Sequence, residues 1–301
     1  MTDSVQREKE ITKVTLVGSV VNLVLTVFKI LAGILGASAA MVADGIHSLS
    51  DLISDFVVIV FVRISSKGSD KEHDFGHGKF ETFAAFIVSL MLFAVGIELM
   101  VSGIRSIVEI ASGGVPAHPS IIALIAAIVS IVLKEILYRY THAAAKKMDS
   151  PVVEANAWHH RSDALSSIGS FFGIGGAMLL GDKWSLLDPL AACIISIMIL
   201  WVAIKMAMPA IGDLMDRSLP DNEEEMIMKA AKGIDGVKGL HELKTHRLGK
   251  DILIEAHLVV DPDINVRAAH NIATNVERAF REKFGHGTQI SLHIEPDDNS
   301  E

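Results

Sequence analysis

Residues 43–55 read ADGIHSLSDLISD, and residues 156–167 read NAWHHRSDALSS. Each stretch sits inside a long apolar run. Each places a histidine four residues before an aspartate, His47 with Asp51 and His159 with Asp163. A spacing of four puts both side chains on one face of a helix. Imidazoles and carboxylates at membrane depth are costly, about 2.5–3.5 kcal/mol for a charged group on insertion scales. Two helices that both carry such a pair therefore point to a shared purpose. Together they offer two nitrogens and two oxygens, a set that suits a tetrahedral ion such as zinc. The two carboxylates would neutralise a dication inside a low-dielectric bundle. Iron and manganese favour more oxygen ligands and higher coordination. The imidazoles thus tilt the choice to Zn2+, with Cd2+ as a chemically similar guest. A histidine and an aspartate on one span are also open to a second reading, as a structural hydrogen-bonded pair. Asp44 lies two turns before Asp51 and Asp55 one turn after it, where they would line an access path or cap and solvate helix ends. His160 lies off the face of His159 and reads as a loop-facing or pairing residue.

Working outward, half of the 301 residues are apolar, and the mean hydropathy is +0.42. The apolar residues concentrate in roughly 12–210. A helix crossing a hydrocarbon core needs about 20 of them in succession. Six spans are expected, over residues 13–35, 39–64, 80–110, 119–145, 151–180 and 187–208. Gly36-Ala37-Ser38 marks a tight turn, Gly113-Gly114-Val115-Pro116 a break, and Pro209 lies near the end of the last span. Lys and Arg gather in the N-terminal stretch and in the connections after spans two and four. The positive-inside rule then places both termini in the cytosol. The single cysteine, Cys193, excludes a disulfide framework and reads as a buried small hydrophobe. Residues 1–12 are polar and do not resemble a cleavable signal.

From Gly212 the composition turns polar. Residues 210–301 hold 18 acidic and 11 basic side chains, a net charge of −7. Such a surface repels nucleic acid and attracts cations. The pattern predicts a helix over 221–233, strands over 241–248 and 252–260 around Gly249-Lys250, a helix over 265–284 and a strand over 289–295. The expected fold class is an all-α six-helix transmembrane bundle plus a small cytosolic αββαβ two-layer domain. Its parts are a tail (1–12), the membrane domain (13–210), the cytosolic domain (211–296) and a short end (297–301). No nucleophile–base set and no nucleotide-binding loop is present, which argues against an enzyme.

The motifs HSLSD and HHRSD, together with DKEHDFGHGKFE at residues 70–81, resemble the cation diffusion facilitator family over nearly the whole chain. The resemblance implies a divalent-metal exporter that exchanges metal for protons by alternating access. The ion would be Zn2+ in this reading, with Fe2+ or Mn2+ on the same scaffold as the rival and a membrane-bound metal sensor as another. It implies a transport site of His47, Asp51, His159 and Asp163, and a loop site of Asp70, His73 and His77. It implies a third site, regulatory and able to hold two ions, at His241, His257, His270, His293 and Glu295, where Glu295 stands at the place of a bridging aspartate in a relative. A homodimer is implied, with Lys79 and Asp216 matching an ion pair near the dimer axis. A bacterial inner membrane is the expected location. His246 and His286 read as surface and turn residues, and His118 and His142 as loop and helix-end residues.

Overall fold

The computed structural model describes residues 2–35, 39–112, 121–180 and 187–297. The turn at 36–38, the break at 113–116 and His118 lie outside the described residues, as do the side chains of Asp44, His47 and Asp51. Six long helices come first: α1 (Thr2–Leu35), α2 (Ala39–Ser65), α3 (Lys79–Ala111), α4 (Ile121–Met148), α5 (Pro151–Leu180) and α6 (Leu187–Leu214). Stretches of α1 (Gln6–Leu31), α3 (Lys79–Ala111) and α6 (Ser196–Leu214) are long and apolar enough to cross a membrane, among the described residues.

Two boundaries differ from expectation. Helix α1 reaches back to Thr2, through the polar stretch read as a tail. Ile11 is fully buried there, and Arg7 is held by partners on other helices, so this end has tertiary support. Helix α6 continues through Pro209 to Leu214. Proline forfeits one backbone hydrogen bond, which a long helix tolerates, so Pro209 does not end it.

The chain divides into two compact units, residues 1–67 with 80–210, and residues 68–79 with 211–301. In the first unit α1 packs on α2 and α4, and α5 packs on α4 and α2. Helices α3 and α6 meet through Leu92, Ile199 and Ala203. A cluster of Ile11, Val14, Val58, Val88, Ala145 and Val152 ties α1 through α5 together.

The second unit is a three-stranded sheet with helices on one face. Its elements are α7 (Asp221–Lys232), β1 (Val237–Leu248), β2 (Asp251–Val260), α8 (Val266–Phe284) and β3 (Gln289–Pro296). The strand order is β1-β2-β3, with β1 antiparallel and β3 parallel to β2. Strand β2 alternates cleanly, sending Ile252, Ile254, Ala256, Leu258 and Val260 to one face. Helix α8 starts at an Asn265 cap, whose Oδ1 accepts from the Ala268 amide. It lays Ala269, Ala273, Val276 and Phe280 onto that apolar face at helical spacing. Phe280 is fully buried. Phe280→Ala is expected to lower the stability of this unit by about 3–5 kcal/mol. Hydrogen exchange of the α8 amides in the full chain measures it, and protection equal to that of the parent would contradict the assignment.

Residues 68–79 dock on the β1–β2 hairpin. Gly249 opens that turn at φ +69°, and a Cβ there would lie 2.5 Å from the Gly78 carbonyl oxygen. A Cβ on Gly78 would lie 2.2 Å from the Leu248 oxygen. Only glycine at both positions lets the two backbones approach so closely. Gln289 Nε2 adds a hydrogen bond to the Phe75 oxygen at 3.0 Å.

Candidate metal centres

In the helical unit, the polar side chains face inward. Helix α1 carries Thr15, Ser19, Asn22, Thr26 and Lys29, spaced by alternating fours and threes along one face. Helix α4 adds Ser130, Lys134 and Thr141, and α5 adds Asn156, His159, His160 and Ser162, all nearly inaccessible. Asp55 of α2 is anchored among them. Its Oδ1 accepts from Asn156 Nδ2 at 2.7 Å, and its Oδ2 accepts from Ser19 Oγ at 3.0 Å and Asn22 Nδ2 at 3.2 Å. Of the two readings open for Asp55, the second is corrected: it lies 1% exposed between helices, so it neither caps nor solvates a helix end.

His159 is 2% exposed, and Asp163 lies one turn further along α5. Lys134 Nζ donates to Asp163 Oδ2 at 2.7 Å. Lys29 Nζ donates to Ser48 Oγ at 3.1 Å, on the residue after His47. Neither lysine was singled out from the sequence. The fours-and-threes stripe on α1 and the lone lysine inside an apolar run of α4 are the signals that find them. His160 is corrected from a loop-facing residue: it is fully buried, and a Cβ on Gly18 of α1 would lie 3.4 Å from its Nε2. His142 is corrected from a helix-end residue: it sits within α4, stacks on Tyr138 and places Nδ1 2.7 Å from Glu154 Oε2.

The loop brings Asp70, His73 and His77 together, each offering a ligand atom within 4.8 Å of the others. His77 Nδ1 lies 3.1 Å from the Gly68 oxygen. A carbonyl only accepts, so that nitrogen carries the proton; Nε2, the ring's ligand atom in the neutral form, lies 3.5 Å from Asp70. The amides of Glu72 and His73 donate to Asp70 Oδ1, each at 2.9 Å, and hold its carboxyl below the ordinary aspartate range. The folded value is depressed, so the contribution of this turn is present above the unfolded value of about 3.9 and is lost as pH falls through the folded value. A carboxyl carbon-13 titration is expected to place Asp70 below an exposed aspartate; an unshifted midpoint would contradict it.

On the open face of the sheet, register aligns three histidines in one row: His241 of β1 opposite His257 of β2, and His257 beside His293 of β3. Their rings lie 5.3 Å and 4.9 Å apart. Glu295 bridges the row, with Oε2 3.0 Å from His241 Nε2 and Oε1 2.8 Å from His257 Nδ1. His293 Nε2 is 3.7 Å from the same Oε1. His270 is exposed on α8 and is not among the grouped ligand atoms. A bulge at His241–Lys244 holds Glu242 at φ +48° and brings its Oε2 to 3.6 Å from His257 Nε2. Plain alternation would turn Glu242 away from His241, so no local pattern signals its place here. His246 Nε2 is 3.7 Å from Asp216, and His286 lies in a turn. Lys79 forms a charge-assisted hydrogen bond to Asp216, which lowers the carboxyl's pKa.

These features define an integral membrane protein with a polar helical core and an α/β domain that carries clustered metal ligands. The cation efflux transmembrane domain model matches residues 15–215, and the cation efflux protein cytoplasmic domain model matches residues 219–297. The chain belongs to the cation diffusion facilitator family, whose members are metal-cation efflux proteins. It is 36% identical to metal tolerance protein C1 of Arabidopsis thaliana over 94% of this chain and 62% of that protein, so it spans less than two thirds of that relative. It is 31% identical to the manganese efflux system protein MneP of Bacillus subtilis, over 97% of this chain and 98% of the relative. Magnetosome protein MamB of a Magnetospira strain is 31% identical over 92% of each chain. A solved structure from work on CzrB, described there as a proposed zinc transporter, is 35% identical over 27% of this chain and 100% of its own, with a TM-score of 0.26.

Proposed function

We propose that the protein exports divalent cations, zinc foremost, from the cytosol in exchange for protons. The observation that carries this reading is the buried His159 and the partly buried Asp163 at ligand spacing in a polar core between helices, with the same spacing repeated in the sequence at His47 and Asp51. Zinc enters with the core open to the cytosol and binds the two imidazoles and two carboxylates. Imidazole must be neutral to coordinate, and it titrates near pH 6.5 in its free form, so protons arriving from the far side compete for the same nitrogens. Release then follows the proton gradient. The helical domain over 13–210 spans a bacterial inner membrane with both termini cytosolic, and residues 211–296 form the cytosolic domain.

Metal on the His241, His257, His293 and Glu295 row adjusts transport to supply. His270 extends this set when a second copy or a second ion completes it, and the loop triad of Asp70, His73 and His77 holds a further ion. The protein acts as a homodimer, in line with the dimerising cytoplasmic domain of the family, and Lys79 and Asp216 brace it near the axis. A second reading, export of manganese or iron on the same scaffold, is favoured on the manganese side by the name of the Bacillus relative.

The test is metal flux into everted vesicles. Zinc is expected to move with proton counterflow, Cd2+ to compete strongly, and Mn2+ and Fe2+ weakly. Asp51→Ala is expected to abolish the flux, and zinc transport at the parental rate in that variant would rule the site out. Preferred manganese or iron flux would transfer the assignment to those ions. Metal binding without tracer movement would make the protein a sensor.

A further inference from the structure

The transport reading uses four ligands, yet the buried helical core also holds an ammonium beside one of them. Lys134 is 1% exposed, in the middle of α4, and its ammonium lies 2.7 Å from Asp163 Oδ2. Placing a lysine at membrane depth is expensive, and a hydrophobic residue of similar size would pack there without that cost. The α1–α2 pair carries a counterpart, Lys29, 4% exposed and bonded to Ser48 beside His47. Each ligand-bearing helix is therefore flanked by a neighbour that directs a buried ammonium toward the ligand segment.

We propose that Lys134 is a tethered cation that holds Asp163 when the carrier carries no metal and is displaced when metal binds. This rests on Asp163 being a transport ligand. An empty carrier that reorients with a bare carboxylate in its core would move an uncompensated charge through low dielectric. The ammonium neutralises that charge, so the empty carrier returns without a metal ion. An arriving dication competes with the ammonium for the same oxygens. The displaced ammonium then repels the metal and favours its departure. Competition of this kind is reciprocal: whatever Lys134 takes from metal affinity, metal takes from the Lys134–Asp163 contact.

The experiment uses the full-length dimer in a background with His77→Ala and His257→Ala, which removes the loop and sheet sites from the binding signal. Zinc binding is measured by calorimetry, and zinc flux is measured in proteoliposomes. Lys134→Gln is expected to bind zinc on the order of tenfold more tightly, the lower part of the range for coupled ligands, and to transport with both KM and kcat reduced. Lys134→Arg keeps a cation and grips a carboxylate with two donors, so its zinc binding is expected to weaken. A purely structural role for Lys134 would leave the affinity unchanged or weaker in both variants, and that result overturns the inference. If Lys134→Gln does not fold, Lys134→Met takes its place, and zinc binding no tighter than the parent's overturns the proposal. Asp163→Asn separates the two levels. Loss of zinc binding there, with unchanged affinity in Lys134→Gln, removes only the role of Lys134. Retained binding in Asp163→Asn removes the transport site and this inference together.

Discussion

Asp163→Asn is expected to reduce zinc flux by at least about 100-fold, the upper end of what disturbing a ligand's supporting partners costs. The amide keeps the shape of the carboxylate but loses its charge, and with it a quarter of the proposed ligand set. The substitution also strips Lys134 of the carboxylate it contacts at 2.7 Å while leaving the ammonium 1% exposed. Breaking one side of a buried ion pair costs about 3–5 kcal/mol. The variant should therefore both transport poorly and melt earlier. Adding Lys134→Met to Asp163→Asn is expected to restore the melting temperature, because no orphaned charge remains, but not the flux. Tracer uptake and thermal unfolding of the same purified preparations check both parts. Restored flux in the double variant would show that Asp163 matters only as a partner for the lysine.

The second large effect is expected at the start of α3. Glu81 is 2% exposed. Arg7 of α1 grips it with two parallel hydrogen bonds, of 2.7 Å and 2.9 Å, and Ser150 at the start of α5 donates to it as well. Arg7 Nε also donates to the Met148 oxygen at 2.8 Å, at the end of α4. One guanidinium thus joins α1 to α3 and to the α4–α5 turn. A planar fork suits a carboxylate in a way that a lysine ammonium does not. Arg7→Met is expected to lower stability by about 3–5 kcal/mol, because the buried carboxylate loses its counterion. Arg7→Lys is expected to recover only part of the loss. Arg7→Met combined with Glu81→Gln is expected to recover more. Thermal unfolding in detergent measures the series. An Arg7→Met protein as stable as the parent would mean that the contact is incidental.

The clasp also explains why the opening residues are helical. The polar stretch MTDSVQREKEIT offers no membrane span, and by composition it reads as a tail. Its helix is continuous with α1 because Ile11 finds a core and Arg7 finds Glu81, a residue more than 70 positions away. No local pattern carries that information. The continuation of α6 past Pro209 is similar in kind: proline weakens a helix locally, and the rest of the helix overrides it.

The sequence by itself determined what depends on period and spacing. Long apolar runs set the six helices, alternation set β2, and the i, i+4 rule put His159 and Asp163 on one face of α5. Short loops also kept Asp70, His73 and His77 close enough to meet. These are interactions between near neighbours, and backbone geometry fixes them before any tertiary contact forms. Only the tertiary structure decided which groups meet across the fold. It aligned His241, His257 and His293 in one row, because strand register is a pairing choice. It turned Glu242 onto that row through a bulge. It set Lys134 against Asp163, because the packing of α4 on α5 chooses which faces touch. Burial supplies the physical reason for the division. A charge in a low-dielectric core must find a partner wherever the fold places one, and that partner is free to lie far along the chain.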